Sequence, residues 1–179
     1  EQKDELIKNK IFSSKKIDVL YDPILSVGNI LKDRKENNFD TKFDKNNILL
    51  VGRLTKQKNF ELMIKVFRDL KNKELKNFKV YILGEGELKD KLNKLIISYN
   101  LTDNIFLLGS KKNVNKYYYN SKIFIMTSLW EDPGFVLIEA AINNCFIISS
   151  DCKSGPREIL ENGKGGILFK NNDINSFKE

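Results

Sequence analysis

The sequence predicts an α/β protein, a parallel sheet with helices on both faces. Three observations carry that reading. Short β-branched or apolar runs recur along the chain, at residues 48–51, 78–83, 105–108, 123–126 and 146–149, with a shorter one at 167–169. Helical patterns fill the gaps, and strands alternating with helices of this length make βαβ units with right-handed crossovers. Finally, 41 % of the 179 residues are hydrophobic, ample for one core, yet no stretch approaches the ~20 apolar residues of a membrane span. The architecture expected is Rossmann-like.

The elements follow in order. A helix is expected over 4–11 and a short strand over 17–20, followed by Tyr21-Asp22-Pro23-Ile24. Residues 32–47 are highly charged and poor in apolar positions, as in an exposed linker. Gly52 ends the strand at 48–51, and a helix is expected from near Asn59, where Leu62, Ile64, Val66, Phe67 and Leu70 approximate a stripe. Leu88, Leu92, Leu95 and Ile96 make a cleaner stripe after the strand at 78–83, at i, i+4, i+7 and i+8. Pro133-Gly134 opens a short buried helix over 135–142, since the first helical amides have no internal partner and a turn there needs permissive backbone. Pro156 suits a further helix start, and 173–179 reads as the opening of another.

Glu131 and Glu139, eight positions apart, are the most informative pair. One lies on the loop before the helix at 135–142 and the other about two turns further on. Between them stand the free amides of a helix N-terminus, which attract anions. Arg53 and Lys58 follow the strand at 48–51, and cations at the carboxyl end of a parallel strand lie where open α/β sheets bind ligands. Arg offers phosphate a planar fork and Lys a mobile point charge. Two carboxylates, two cations and an anion site suit a ligand with both hydroxyls and phosphates, such as a sugar nucleotide. Each residue also has a plainer reading: Glu139 exposed on an outer helix face, Glu131 a loop carboxylate or helix-dipole partner, Lys58 a surface cation with Lys56 as competitor. Gly84-Glu85-Gly86 invites a dinucleotide reading, but Lys89 stands where the third glycine would be. NAD is therefore rejected, and the glycines are read as a tight strand-to-helix turn.

The chain resembles the C-terminal, donor-binding domain of a GT-B retaining glycosyltransferase of group 1, or family 4. The motifs that carry the resemblance are Gly52-Arg53-Leu54 with Lys58, Leu83-Gly84-Glu85-Gly86, Leu108-Gly109, the Glu131/Glu139 pair with Ala140, and Gly155-Pro156-Arg157-Glu158-Ile159. They occur in the family's order over roughly residues 46–170. One departure is Asp132-Pro133, where the family commonly has Gly after the first Glu. The resemblance implies that Glu139 binds the ribose and that Glu131 lies near the transferred sugar. It implies that Arg53 and Lys58 hold the diphosphate and stabilise the departing charge without a metal. Gly134, Phe135 and Val136 would offer their amides to the donor, Gly84 would lie beside the nucleotide, and the loop at 110–113 would face the base. Glu158 would cap or orient the site.

By the same resemblance, residues 1–45 are a remnant of an N-terminal domain with the interdomain linker, and 46–179 are the sugar-nucleotide-binding domain, cut at its C-terminus. The opening Glu1-Gln2-Lys3-Asp4 carries neither an initiating Met nor a signal-peptide pattern. The function implied is transfer of a sugar from a nucleotide donor, with UDP-sugar the first expectation, to a glycan or lipid-linked acceptor held by the missing domain. The fragment alone is expected to be inactive. No cofactor is expected. The location implied is cytoplasmic, with peripheral association of the full-length protein at the inner face of the membrane. Two alternatives use the same scaffold: a nucleotide-binding or inactive module, and a sugar-nucleotide epimerase.

Composition narrows the chemistry. With no His, the chain lacks the commonest general base and metal ligand, so His-dependent and metal-centred chemistry is excluded within it. The net charge of +7 and pI of about 9.2 would suit an anionic partner. The lysines, however, are interleaved with Asp and Glu, as in Lys89-Asp90-Lys91, and no nucleic-acid motif accompanies them. Nucleic acid is not expected as a partner. Cys145, in an apolar context, reads as a reduced structural thiol.

Overall fold

A computed structural model describes residues 2–10, 47–71 and 77–178, with isolated positions 26, 28, 30, 32 and 43. The strand expected at 17–20, the turn at 21–24 and most of the 32–47 linker lie outside the described residues. Helix α1 is Gln2–Lys8, starting earlier and ending sooner than the 4–11 expected. The chain leaves it through Lys10, which is left-handed at φ 55° and whose amide donates to Ile7 O at 3.0 Å.

Six parallel strands form one sheet: β1 Asn47–Val51, β2 Lys79–Leu83, β3 Ile105–Gly109, β4 Ile123–Met126, β5 Phe146–Asp151 and β6 Ile167–Lys170. Their order across the sheet is β3-β2-β1-β4-β5-β6. The six strands expected from residue 48 onward are all present, each within two residues of its expected ends. Side chains alternate across the pleat and so divide the core in two. Ile48, Leu50, Val80, Ile82, Ile105 and Ile125 face one side. Leu49, Tyr81, Leu83, Phe124, Met126 and Ile147 face the other. Strands buried on both faces read as continuous apolar runs, which is why 48–51 and 123–126 show so little alternation.

The first face is covered by α2 Phe60–Leu70 and α3 Lys89–Ser98. In α2 the residues packed on the sheet are Phe60, Met63, Ile64 and Phe67, an i, i+3, i+4, i+7 stripe. Leu62 and Val66 are buried too, but outside that cluster. The apolar arc is therefore wider than a single stripe, which blurred it in the sequence. In α3 the expected stripe holds, with Leu92 and Ile96 buried and Leu88 and Leu95 packed beside them. The short α7, Ile174–Lys178, sits against α2, stacking Phe177 on Phe169 at 4.4 Å between ring centroids.

The second face is covered by α4 Asn115–Tyr119 and α5 Val136–Ile142, with α6 Pro156–Ile159 and a 3₁₀ turn, Glu161–Gly163, at its border. The sequence reading contained no α4. Three consecutive tyrosines obscure a helical pattern, and five residues are too few to show a period. The local sign is Asn113, whose Oδ1 accepts from Lys116 N at 3.3 Å.

Two glycines exist because other backbone comes too close for a side chain. A Cβ on Gly84 (φ 141°) would stand 1.9 Å from Gly52 O, and one on Gly155 (φ 105°) would stand 1.7 Å from Pro133 O. Gly84 lets the turns after β1 and β2 touch, and Gly155 lets the β5–α6 turn press on the Pro133 loop. Gly84→Ala should cost at least about 3 kcal/mol in a urea unfolding titration, through the positive φ and the carbonyl clash together. Gly165→Ala, whose Cβ would have its nearest neighbour at 3.5 Å, should change stability by less than about 1 kcal/mol.

Candidate functional site

Strand order reverses between β1 and β4, and in an open α/β sheet that reversal leaves a crevice at the carboxyl ends of the two strands. The loops leaving β1 and β4 meet there. Thr127 Oγ1 donates to Lys58 O at 2.8 Å, Leu129 N to Gln57 O at 2.8 Å, and Gln57 Nε2 to Trp130 O at 2.9 Å. Asn171 Nδ2, just past β6, holds Leu129 O at 2.8 Å. The crevice floor is thus fixed by one backbone bond and three side-chain bonds to backbone carbonyls, from several elements.

A cleft of about 400 Å³ opens above it, lined by Arg53, Gln57, Lys58, Glu131, Asp132, Gly134, Phe135 and Val136. Six of the eight residues singled out from sequence are among these. Gln57 and Asp132 were not singled out, though each neighbours a predicted residue. A second cleft, of about 290 Å³, lies between the turns after β1 and β2 and the loop after β3; Gly52, Gly84, Glu85, Ser110 and Lys111 are in its wall. Gly84 falls there, and so does part of the loop expected to face a base. Arg53 borders both clefts.

Inside the first cleft Lys58 Nζ donates to Glu131 Oε1 at 2.6 Å. The two side chains are 13 % and 5 % exposed, so this is a largely buried pair. Ser128 Oγ donates to the same carboxylate oxygen. A carboxylate out of water needs such partners. The sequence reading gave Lys58 to phosphate and Glu131 to sugar, without their mutual contact; 73 residues separate them. Arg53 is exposed and makes no ion pair with a described residue. The amides of Gly134, Phe135 and Val136 precede the first intrahelical bond of α5, from Leu137 N to Gly134 O at 3.0 Å.

Glu139 lies one helical turn beyond Val136 on α5 and lines neither cleft. It is half-buried, which sets aside the fully exposed alternative. Tyr118 Oη donates to its Oε2 at 2.9 Å. Burial raises the Glu139 carboxyl above the ordinary range, and the bond from Tyr118 draws it back down. Tyr118, fully buried, is pushed well above the usual phenol range by burial and then by the Glu139 charge. Glu158 is exposed on α6. Cys145 and Cys152 are free and buried, and burial lifts their thiols to about 12 and about 11. Among the described residues no cluster of three His, Cys, Asp or Glu side chains could hold a metal ion, and no helix is long and apolar enough to cross a membrane.

The profile of the family described as Glycosyl transferases group 1 matches residues 31–179. The chain belongs to this family. Among its curated relatives, an uncharacterized glycosyltransferase of Methanocaldococcus jannaschii is 47 % identical over 110 residues, 62 % of this chain and 27 % of the relative. The N-acetylgalactosamine-N,N'-diacetylbacillosaminyl-diphospho-undecaprenol 4-alpha-N-acetylgalactosaminyltransferase of Campylobacter jejuni is 36 % identical over 173 residues, 97 % of this chain and 45 % of the relative. This group 1 chain therefore spans less than half the length of either. Among solved structures, a variant of S. aureus TarM in complex with fondaparinux, α-GlcNAc-glycerol and UDP superposes with a TM-score of 0.71 at 32 % identity, covering 79 % of this chain and 29 % of that one. The Rossmann-like half of a GT-B fold expected from the motifs is the fold observed.

In this group 1 chain the Lys58–Glu131 pair should be felt in stability. Lys58→Met leaves a buried charge unmatched and should cost about 3–5 kcal/mol in chemical denaturation. Adding Glu131→Gln, which removes that charge and keeps a group able to bond Ser128, should restore most of the loss. A double variant no more stable than Lys58→Met would show the pair to be energetically idle.

Proposed function

We propose that the chain binds the nucleotide-sugar donor of a glycosyltransferase, with the diphosphate at Arg53 and Lys58 and the sugar against Glu131. The observation that carries this reading is the convergence of Arg53, Lys58, Glu131 and the Gly134–Val136 amides on one cleft at the strand-order reversal. A diphosphate brings negative charge, and the cleft offers a guanidinium, an ammonium and a row of unbonded amides. A sugar brings hydroxyls, and Glu131 offers acceptor lone pairs. The nucleoside extends into the second cleft, across Gly84 toward Ser110 and Lys111, because Arg53 joins the two spaces. Glu139 accepts from the ribose hydroxyls. In the whole protein the sugar passes to a glycan or lipid-linked acceptor, held by an N-terminal domain of which residues 1–45 are the end, and at the inner face of the membrane. The UDP-bound TarM relative and the undecaprenol-linked substrate named for the Campylobacter relative support UDP and a lipid-linked acceptor as first choices.

Arg53 and Lys58 would supply the electrostatic stabilisation of a departing nucleoside diphosphate, since both lie where that charge develops. Binding of the diphosphate is accordingly independent of a divalent metal. Calorimetric titration of UDP, GDP and ADP should give the same affinity with magnesium and with a chelator. An affinity that vanishes on chelation would refute the metal-free site, and no binding by any of the three would refute the reading as a whole.

Glu139→Ala should weaken UDP roughly ten- to a hundred-fold, the value of a charged hydrogen bond worth about 1.5–3 kcal/mol. Pyrophosphate, which has no ribose, should bind as before. Equal loss for both ligands would mean that Glu139 supports the fold and does not read ribose.

A further inference from the structure

We propose that Tyr118 is a positioning residue for donor binding: its hydroxyl holds one oxygen of Glu139 so that the other is presented to the ribose. This rests on the ribose role given to Glu139 above. The bond runs from Tyr118 Oη to Glu139 Oε2 at 2.9 Å, between side chains on two different helices of the second face. Tyr118 has no solvent exposure, whereas Glu139 is only half-buried. The phenol therefore reaches the carboxylate from the protein side, and the carboxylate's remaining capacity faces the solvent side, where a ligand arrives. An ionised carboxyl is an acceptor only, with room for several donors, so a bond at Oε2 leaves Oε1 for a diol.

Tyr118 is itself immobilised. Its ring packs on Phe124 at 5.4 Å between centroids, its amide donates to Val114 O at 3.2 Å, and its carbonyl accepts from Cys145 Sγ at 3.1 Å. Asn143, at the end of α5, donates to Glu139 O at 2.9 Å and to Asn115 Oδ1 of α4 at 3.4 Å. The two helices are thus joined by side-chain bonds at two places. Val114, at the start of α4, lines the second cleft, while Val136, at the start of α5, lines the first. The Tyr118–Glu139 bond thus ties together the two helices whose first turns border the second and the first cleft. Supporting contacts of this kind fix a ligand-binding group in a productive geometry. Tyr119 is exposed and Tyr117 is packed elsewhere in the core, so of the three adjacent tyrosines only Tyr118 has this bond.

The test uses Tyr118→Phe, which deletes the hydroxyl and keeps the ring in its contact with Phe124. UDP and pyrophosphate are titrated against the wild type, Tyr118→Phe, Glu139→Ala and the double variant, with pyrophosphate affinity also reporting an intact cleft. The expected result is a roughly tenfold loss of UDP affinity in Tyr118→Phe, in line with one lost bond to a charged group. Pyrophosphate should stay within about twofold of the wild type, and the hydroxyl deletion should have no further effect in the Glu139→Ala background. Unchanged UDP affinity in Tyr118→Phe alongside a clear loss in Glu139→Ala would overturn the positioning role and leave the ribose reading standing. A loss that persists in the double variant, or that pyrophosphate shares, would overturn it in favour of a purely structural tyrosine. Wild-type UDP affinity in Glu139→Ala would defeat the ribose reading and this proposal with it.

Discussion

A buried carboxylate must be answered by a nearby cation or by donors, and the arrangement of this crevice follows from that need at Glu131. Its side chain is held by Lys58 from the loop after β1 and by Ser128 from the end of β4. The two loops could not hold this register independently, since the strands beneath them are separate in sequence by more than the whole of β2 and β3. Bonds to backbone carbonyls from Thr127 Oγ1, Leu129 N and Gln57 Nε2 set the spacing, and the charge pair makes one spacing preferable to its neighbours. Replacing such a pair with apolar groups is often neutral for stability elsewhere. Its place in the cleft suits the proposed use of the charges themselves.

Close backbone approach is the second constraint. Gly84 brings the turn after β2 against Gly52, and Gly155 brings the turn after β5 against Pro133. Neither glycine needs to touch a ligand for its motif to be required. The Gly-Glu-Gly turn shapes the wall of the second cleft, and Gly155-Pro156 braces the loop that carries Glu131 and Asp132. Arg157 and Glu158, the charged residues of that motif, are exposed, with Arg157 paired to Asp151. No side chain of that motif lines either cleft.

How far the sequence revealed all this depends on the range of the interaction. Strands buried on both faces announce themselves as apolar runs, and α3 shows a clean stripe, so sheet and helices were legible from local pattern. Arg53, Lys58, Gly134, Phe135 and Val136 were legible because a strand end and a helix start are local features too. Contacts between distant residues were not. Nothing in the chain's local pattern says that Lys58 meets Glu131, or that Tyr118 meets Glu139 across 21 positions. The helix carrying Tyr118 was itself missed, being five residues rich in tyrosine. Ser128 stood three residues before Glu131, close enough to be suspected, but its hydroxyl points there only because the chain turns after β4.

The two carboxylates are held by different groups, and on the proposed reading this suits their different parts of the ligand. Glu131 has an ammonium against it, and Lys58 has three donors of which Glu131 takes one. The remaining two can turn to a phosphate without the first being given up, so an arriving diphosphate extends the pair instead of breaking it. Arg53 is exposed to water, with no ion pair to a described residue, and can meet the anion first at little desolvation cost. Glu139, by contrast, has a neutral phenol against it. A cation there would satisfy the carboxylate and weaken it as an acceptor for neutral hydroxyls, whereas a phenol orients it and leaves its charge uncompensated. Charge-assisted bonds to a diol are stronger for that. On that reading the cation stands beside the carboxylate placed against the sugar, next to the diphosphate, and the phenol beside the one that faces the ribose, which suits a ligand whose charged diphosphate lies between two hydroxyl-bearing groups.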